Sequence, residues 1–414
     1  MLKTAKIAYR NLLRYTRRTI LTSTLVIIGI VAVLVFVAIA GSFKQLMIGQ
    51  ITDSMLGHMQ IHHSGYVVSI DNSPLNLNLN ARQMSKIQVL LDANKDLEAY
   101  SSRLKFGGLL SNFVESTNIR LSGIHPDAEL KTVPLLGHRV FGGAEVLPSL
   151  NRGEIWVPKK LARGMSLKLG DQVVVVATNR QGSVNAFPFI VKGLVDAIGG
   201  PGVREGYLNI EDAYRLLRIE SAKANEIAIR VKDFSTLELV YEKLADKIDT
   251  IRNKIDKPVF ELHSWKELTP FARIASIIDL LTVFVRVIMI SVVLVSIMNV
   301  MLMAVYERIR EIGTIAAIGT RPMQIWTLFL LEGLFLGMFG AFCGSLLSLA
   351  IIKYFQFHPI TLAFGKTSQV ISPGIAASEV IVTALIVILI SGLASLQPSF
   401  KASKLEPVDA LRHY

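Results

Sequence analysis

The chain has 414 residues, of which 51% are hydrophobic and only 18% are charged, whereas soluble domains average about 25% charged residues. This composition argues against an ordinary soluble protein and predicts an integral membrane protein. The formal net charge is +12, but residues 42–276 carry 29 Lys and Arg against 25 Asp and Glu, so the basic excess lies beside the apolar segments and argues against nucleic-acid binding.

Four apolar segments are long enough to cross a bilayer, which takes about 20 residues as a helix. They predict a membrane protein with four transmembrane α-helices and a large α/β extracytoplasmic domain between the first and second. The predicted order is a basic amphipathic helix (1–19), first crossing (20–41), α/β domain (42–279), second crossing (280–305), short helix and turn (306–324), third crossing (325–352), short outer loop (353–377), fourth crossing (378–397) and tail (398–414).

The basic residues predict the orientation of the chain, because short positively charged flanks stay in the cytoplasm. Segments 1–19, 306–324 and 398–414 together carry twelve Lys and Arg, whereas the outer loop has only Lys353 and Lys366. Both termini are therefore predicted to be cytoplasmic, with residues 1–19 lying on an anionic membrane surface. A cleaved signal peptide is the alternative to the first crossing, but its apolar run is longer than the 7–15 residues of a signal core.

The region between the first two crossings mixes α and β patterns. Alternation over 57–70 and the run 171–179 predict strands, and the spacing over 86–100, 211–219 and 234–248 predicts helices. The single cysteine, Cys343, lies in the third crossing, so this domain must be stabilised by its own core and not by disulfides. The loop 197–206 is either a moving lip or an ordinary surface turn.

Residues 306–319 have the spacing of a short amphipathic helix between two crossings. The predicted apolar face consists of Ile309, Ile312, Ile315 and Ala316. Arg308 and Glu311, like Glu307 and Arg310, are three residues apart and can pair. Gly319 can end the helix and Pro322 can start the next one. A plain connection would be short and polar, whereas an apolar face within a charged frame fits a groove on a cytoplasmic partner.

The later crossings contain small and polar residues that predict helix packing. Glycines four residues apart allow close approach of a neighbouring helix, within the chain or from a partner; they are Gly333, Gly337, Gly340 and Gly344. Glu332 is expected to face protein or to pair with a cation. Asn299 is expected to bridge helices. Arg286 is expected to reach the outer interface, with contact to a lipid-anchored substrate as the alternative.

No pattern in the chain predicts catalysis or a directly bound cofactor. His58 and His62 share one strand face and His63 the other, without an acid or cysteine nearby, so a metal site is not expected. The fragment "FGKTS" (364–368) lacks the glycine that a phosphate-binding loop needs five positions before Gly365. The chain is therefore interpreted as non-catalytic.

Five stretches resemble the permeases of the MacB/FtsX superfamily. "YERIREIGTIAAIGT" (306–320) is similar to the Glu-Arg-x-x-Glu-Ile-Gly signature between their second and third helices. Residues 8–22, 57–66, 330–348 and 398–414 resemble their entry helix, first outer strand, third helix and tail. These permeases form type VII ABC transporters, among them the lipoprotein-releasing Lol permeases.

The resemblance implies which residues contact the ATPase. They are Glu307, Arg308, Ile309, Arg310, Glu311, Ile312, Gly313 and Gly319. It also implies an inner-membrane complex with two copies of a separate cytoplasmic ABC ATPase, which would hold ATP and Mg²⁺, and with a second permease chain, alike or different. A lipid-anchored or hydrophobic cargo and a periplasmic acceptor are further implied partners.

MacB fuses its ATPase to the permease, and this chain has no room for one. Two alternatives to transport stay open: an FtsX-like mechanotransmission complex that regulates a cell-wall hydrolase or signalling partner, and a receptor without an ATPase. Division-type FtsX proteins have a much smaller outer domain, which weakens the FtsX-like alternative.

Overall fold

The computed structural model describes residues 2–14, 16–72, 74–143, 147–196, 205–252, 258–364 and 367–406. The chain divides into two compact units. One consists of Met1–Leu46 and Ala275–Tyr414, and the other of Met47–Ile274. The first unit contains most of the long apolar helices, and the second is the α/β domain.

The helices are α1 (Leu2–Arg14), α2 (Thr16–Ile51), α3 (Ala81–Asp92), α4 (Pro126–Thr132), α5 (Leu135–Arg139), α6 (Lys159–Gly164), α7 (Ile210–Leu217), α8 (Leu237–Asp249), α9 (Trp265–Leu268), α10 (Phe271–Glu307), α11 (Ile309–Ala317), α12 (Pro322–Phe357) and α13 (Ala377–Ser403). The strands are β1 (Met59–His63), β2 (Leu79–Asn80), β3 (Leu97–Ser111), β4 (Ser116–Ile124), β5 (Val140–Phe141), β6 (Glu154–Pro158), β7 (Gln172–Thr178), β8 (Val184–Val195), β9 (Glu205–Asn209), β10 (Lys223–Ala224), β11 (Glu226–Val231), β12 (Phe260–Ser264), β13 (Ile360–Phe364) and β14 (Thr367–Ile371).

Four helices in the described part of the chain are long and apolar enough to cross a membrane: α2, α10, α12 and α13. They extend beyond the predicted crossings. Helix α10 has 37 residues and is roughly 55 Å long at 1.5 Å per residue, whereas the hydrocarbon core is about 30 Å thick. Its ends therefore extend beyond the apolar span. The predicted outer loop contains the antiparallel hairpin β13–β14, which was not predicted from the sequence.

A ten-stranded sheet forms the centre of the α/β domain, in the order β12-β1-β11-β3-β4-β9-β6-β8-β5, with β7 paired to β3 and β8. Strand β1 lies between β11 and β12, and Met59 is opposite Ile229 on one side and Ser264 on the other. Strand β1 follows α2 in the chain and strand β12 precedes α9 and α10, and these two strands are neighbours in the sheet. Leucine, valine and isoleucine side chains from β3, β4, β6 and β7 form the main core with α6 and α7.

The structure confirms the predicted strands at β1 and β7 and the predicted helices at α7 and α8. The helix predicted over 86–100 is wrong beyond Asp92. A capping box at Asn80 and Gln83 starts α3 earlier. At the other end, the Asn94 side chain accepts from the amide of Asp96 at 3.1 Å, a turn that competes with helix, and β3 begins at Leu97. The loop predicted at 197–206 lies mostly outside the described residues.

Candidate functional site

The connection between α10 and α12 contains a bend at Arg308. Its backbone (φ −111°, ψ 16°) leaves the helical region after α10, and α11 restarts at Ile309. The helix ends at Ala317 with Ile318 as its C-cap residue, and Gly319 follows with φ +98°, a left-handed conformation that glycine adopts without a Cβ clash. Arg321 is the N-cap residue of α12 and Pro322 its first residue. The predicted stop at Gly319 and start at Pro322 are confirmed.

A buried ion pair holds this bend. Arg308 Nη1 donates to Glu332 Oε1 at 3.0 Å and to Oε2 at 3.3 Å, and Asn11 Nδ2 of α1 donates to Glu332 Oε1 at 2.7 Å. Glu332 is 1% exposed and Arg308 is 5% exposed. A buried carboxylate needs such partners because desolvation of an unpaired charge is very unfavourable. The structure thereby pairs Glu332 with a cation, as the sequence predicts.

Arg308, which the resemblance implies contacts the ATPase, is buried within its own chain. Its guanidinium turns inward to α12, and Nε also lies 3.3 Å from Glu311 Oε2. The predicted Arg308–Glu311 pair is therefore present, with Glu311 half exposed. Since the guanidinium is buried between helices of its own chain, it is not available to a second protein without breaking the Glu332 pair.

Part of the apolar face of α11 is buried against other residues of the same chain. Ile312 and Gly313 are buried, and Ile312 belongs to an apolar cluster with Leu12, Ile325 and Ala402. Ile312 and Gly313 therefore support α11 from within the chain, and their expected part in ATPase coupling stays a prediction. The exposed apolar side chains near the connection are Tyr306, Ile315, Ile318 and Met323. Ile318 is 81% exposed, and Glu307, Arg310 and Glu311 are exposed beside these residues.

The glycines of α12 pack against other helices of the same chain. A Cβ added at Gly333 or Gly337 would overlap Ser395 or Ser391 of α13. A Cβ at Gly340 would lie 2.5 Å from Val26 of α2, and one at Gly344 would lie 2.9 Å from Ile30. The sequence left open whether this stripe packs within the chain or against a partner, and the structure places it within the chain.

Two ion pairs join the helices at their other ends. Lys44 of α2 lies 2.6 Å from Asp279 of α10, and Arg286 Nη2 of α10 donates to Glu379 Oε2 of α13 at 2.6 Å. Arg286 was expected to reach the outer interface, with contact to a lipid-anchored substrate as the alternative. In the structure its partner is the carboxylate of Glu379 in the first turn of α13, and its position at the interface stays a prediction.

Asn299 was predicted to bridge helices. Its side chain is exposed on α10, so it does not lie between helices of its own chain. The buried residues of that part of α10 are Val293, Ile297 and Met301, which lie on the opposite face.

Two family models match the chain. The FtsX-like permease C-terminal model matches residues 283–407, and the MacB-like periplasmic core domain model matches residues 19–247, more than half of the chain. The chain is an ABC transporter permease of the MacB/FtsX superfamily.

Curated relatives cover nearly all of the permease at low identity. The macrolide export ATP-binding/permease protein MacB of Hahella chejuensis is 25% identical over 98% of this chain and 59% of its own length. The lipoprotein-releasing system transmembrane protein LolC of Neisseria meningitidis is 22% identical over 93% of this chain and 92% of its own. The permease therefore spans about 60% of the length of the MacB relatives that it matches.

Solved structures also show similarity to the α/β domain of the permease. The crystal structure of the periplasmic region of MacB from Actinobacillus actinomycetemcomitans covers 53% of this chain and 94% of its own, at 13% identity and a TM-score of 0.36. The extracellular domain of the transporter YknZ from Gram-positive bacteria covers 51% of this chain and all of its own, at 11% identity and a TM-score of 0.32.

A buried charge cluster in the α/β domain of the permease was not predicted from the sequence. Arg103 of β3 lies 2.7 Å from Glu129 and is also paired with Glu226, and Lys105 Nζ lies 2.8 Å from Glu226. Despite the opposing effect of burial, these two cations hold the pKa of Glu226 at about 2. The only signal in the sequence was the presence of single charged residues within strands. It is a weak signal, because such residues usually face solvent.

The histidines of the permease have separate environments. The Nδ1 atom of His58 accepts from the amide of Val231 at 3.1 Å. The ring of His62 is stacked on Tyr66 at 5.1 Å. No cluster of three or more potential metal ligands occurs among the described residues. In the fragment 364–368, Gly365 and Lys366 lie outside those residues.

Proposed function

We propose that this permease couples ATP hydrolysis by a separate cytoplasmic ABC ATPase to movement of the α/β domain between its first two membrane helices. The α10–α12 connection and both termini lie in the cytoplasm, and the domain lies outside the inner membrane. ATP and Mg²⁺ are bound by two copies of the ATPase, and the permease itself is non-catalytic. This orientation is supported by the positive charge of segments 1–19, 306–324 and 398–414.

The single observation that carries the proposal is the surface of the α10–α12 connection. Its exposed apolar residues, Ile315 and Ile318, lie beside exposed Glu311 and Arg310, while Ile312 and Arg308 fix the helix from behind. An exposed apolar patch with a charged rim is typical of a protein–protein contact. A contact on a helix that is anchored in the membrane unit can move that unit, whereas a contact on an unanchored loop could not.

The cargo in this proposal is a lipid-anchored or otherwise hydrophobic molecule, taken up outside the membrane and passed to a periplasmic acceptor. Its support is the similarity to LolC, whose name describes a transmembrane protein of a lipoprotein-releasing system. The MacB relatives are named for macrolide export, a second kind of hydrophobic cargo. ATP-dependent release of a lipoprotein from vesicles containing the purified complex would support the first.

The test of coupling is a pair of substitutions on the connection, measured as ATP hydrolysis by the co-purified complex. Glu311→Lys is expected to abolish coupling without reducing membrane insertion. Because Glu311 also contacts Arg308, Ile318→Asp is the cleaner variant, since this side chain is almost fully exposed. Glu242→Lys on α8, also exposed, is the matched control. Unchanged ATPase stimulation in both connection variants would contradict the docking role.

A regulatory complex is the second candidate, supported by the match of residues 283–407 to FtsX-like permeases. In that case ATP hydrolysis moves the outer domain against a cell-wall hydrolase or a signalling protein. ATP-dependent binding of a hydrolase to the α/β domain, without release of lipoprotein, would favour it over transport.

A further inference from the structure

The ion pair between Arg286 of α10 and Glu379 of α13 has unused hydrogen-bonding capacity on both sides. The bond from Arg286 Nη2 to Glu379 Oε2 at 2.6 Å is the only hydrogen bond of either side chain among the described residues. A guanidinium has five N–H donors, and an ionised carboxylate has about four acceptor sites. The two side chains are still 22% and 43% exposed. The pair can therefore bind an acceptor and a donor of another molecule at the same time.

Both residues stand at one end of an uncharged helical segment. Residues 287–306 of α10 and 380–400 of α13 contain no charged side chain, and they measure roughly 30 Å and 32 Å at 1.5 Å per residue. The hydrocarbon core of a bilayer is about 30 Å thick. With Glu307 and Lys401 at the cytoplasmic boundary, as the proposed function requires, Arg286 and Glu379 lie at the outer boundary, at the level of the lipid headgroups.

A row of exposed apolar side chains on α13 begins one turn from the pair. Val382, Leu385 and Leu389 follow Glu379 at spacings of three or four residues and are 46%, 54% and 67% exposed. On a helix this spacing places side chains on one face, so the row leads from the headgroup level into the hydrocarbon core. A molecule with a charged head and an apolar chain matches this arrangement.

We propose that Arg286 and Glu379 bind the headgroup of an outer-leaflet phospholipid that carries both a phosphate and a primary ammonium, as phosphatidylethanolamine does. Arg286 donates to the phosphate, the acceptor that a guanidinium fork fits best, and Glu379 accepts from the ammonium. The acyl chains lie along the row from Val382 to Leu389. This inference rests on the orientation given under the proposed function and is independent of the cargo.

The charges of the pair distinguish this headgroup from two common alternatives. A headgroup with a phosphate but no cation, such as phosphatidylglycerol, is attracted by Arg286 and repelled by Glu379. Phosphatidylcholine carries the same charges as phosphatidylethanolamine, but its quaternary ammonium has no N–H to donate to Glu379. Because a hydrogen bond to a charged group is the difference, we expect about a tenfold preference for phosphatidylethanolamine over phosphatidylcholine.

Native mass spectrometry of the full-length protein tests this preference. The protein is released from nanodiscs that contain equal amounts of phosphatidylethanolamine, phosphatidylcholine and phosphatidylglycerol, and the most strongly retained lipid is identified. Phosphatidylethanolamine is expected. Equal retention of phosphatidylethanolamine and phosphatidylcholine, or preferred retention of phosphatidylglycerol, overturns the proposal.

Single substitutions test the part of each side chain. Glu379→Gln should bring the retention of phosphatidylethanolamine and phosphatidylcholine close together and increase that of phosphatidylglycerol, whereas Arg286→Gln should weaken retention of all three. The control is Asp279→Asn, which removes a carboxylate paired with Lys44 and lies roughly 10 Å farther out along α10. It should keep the preference. An unchanged preference in Glu379→Gln, or an equal loss in Asp279→Asn, overturns the assignment.

Thermal unfolding separates lipid binding from a purely structural ion pair. Lipid binding raises the melting temperature of the unsubstituted protein in phosphatidylethanolamine nanodiscs above that in phosphatidylcholine nanodiscs, and Glu379→Gln removes this difference. A purely structural pair lowers the melting temperature of Glu379→Gln equally in both lipids. Equal melting temperatures of the unsubstituted protein in the two lipids would count against the lipid site.

Failure of this inference is distinguishable from failure of the proposed function. Ile318→Asp should remove ATPase coupling and leave the lipid preference in place if both proposals hold. Normal ATPase stimulation by a protein without the lipid preference overturns only the lipid site.

Discussion

Acidification should destabilise this permease through His62, a fully buried residue of β1. Its ring is stacked on Tyr66 and lies 5.5 Å from His263, and neither ring nitrogen has a hydrogen-bond partner among the described residues. Burial lowers the pKa of His62 from 6.5 to about 4, against the opposing charge of Glu226. Protonation in the folded state therefore requires a much lower pH than protonation in the unfolded chain.

The magnitude follows from the difference between the two pKa values. On acidification, His62 binds its proton in the unfolded chain before it does so in the fold. The contribution of neutral His62 to the free energy of unfolding is therefore fully present above pH 6.5 and is lost as the pH falls toward 4. A pKa of about 4 in the fold gives a loss of about 2 kcal/mol at pH 5 and about 3 kcal/mol at pH 4, both relative to pH 8. Glu226, with a pKa of about 2 in the fold, also lowers the free energy of unfolding on acidification, but only below about pH 4.5.

The assay is urea unfolding of the detergent-solubilised protein between pH 8 and pH 5, followed by tryptophan fluorescence, with Trp156 and Trp265 as buried reporters in the α/β domain. His62→Phe keeps an aromatic ring against Tyr66 and should lose most of the pH dependence. His125→Gln, an exposed histidine of the same domain, is the control and should keep it. An identical pH dependence in His62→Phe and the unsubstituted protein would refute the assignment.

Two further predictions concern the membrane helices. Gly333→Ala should lower thermal stability by 1–3 kcal/mol or more, because its Cβ would overlap Ser395, whereas Gly41→Ala meets no atom within 4 Å and should be neutral; equal melting temperatures would contradict the packing. Glu332→Gln removes the buried carboxylate that pairs with Arg308 and leaves it only the half-exposed Glu311, so it should cost about 3–5 kcal/mol. The double variant Glu332→Leu with Arg308→Met should recover most of that loss in the same denaturation assay, and no recovery would argue against a mutual ion pair.

The sequence predicts the features of this fold that depend on local patterns. Runs of apolar residues identify the crossings, and alternation or helical spacing identifies β7 and α8, because these patterns reflect one buried face. Pairings between distant segments have no such local signature. Strands β1 and β12 are neighbours in the sheet although roughly 200 residues separate them, and only the folded structure shows that the strand after α2 and the strand before α10 are adjacent.

In the candidate site as well, the sequence predicts the local helix but not the contacts that single side chains make with distant segments. Helical spacing places a short amphipathic helix after α10, but Arg308 and Arg310 are both plausible surface residues there. Which of them turns inward depends on Glu332 of α12 and Asn11 of α1, a carboxylate and an amide 321 positions apart in the chain. Asn299 was expected among neighbouring helices for a similar reason, since a polar residue in an apolar helix indicates a partner without identifying it.

The buried pair also constrains how the proposed coupling can operate. Arg308 contacts α12 through Glu332 and α11 through Glu311, and Asn11 ties α1 to the same carboxylate. A force on the exposed face of α11 is therefore transmitted to α1, α10 and α12 through these contacts before the chain bends at Arg308. Since breaking such a buried pair costs about 3–5 kcal/mol, small displacements of α11 move these helices together. Under the proposed function, movement of the ATPase would displace α1, α10 and α12 together. It would not merely flex an isolated loop.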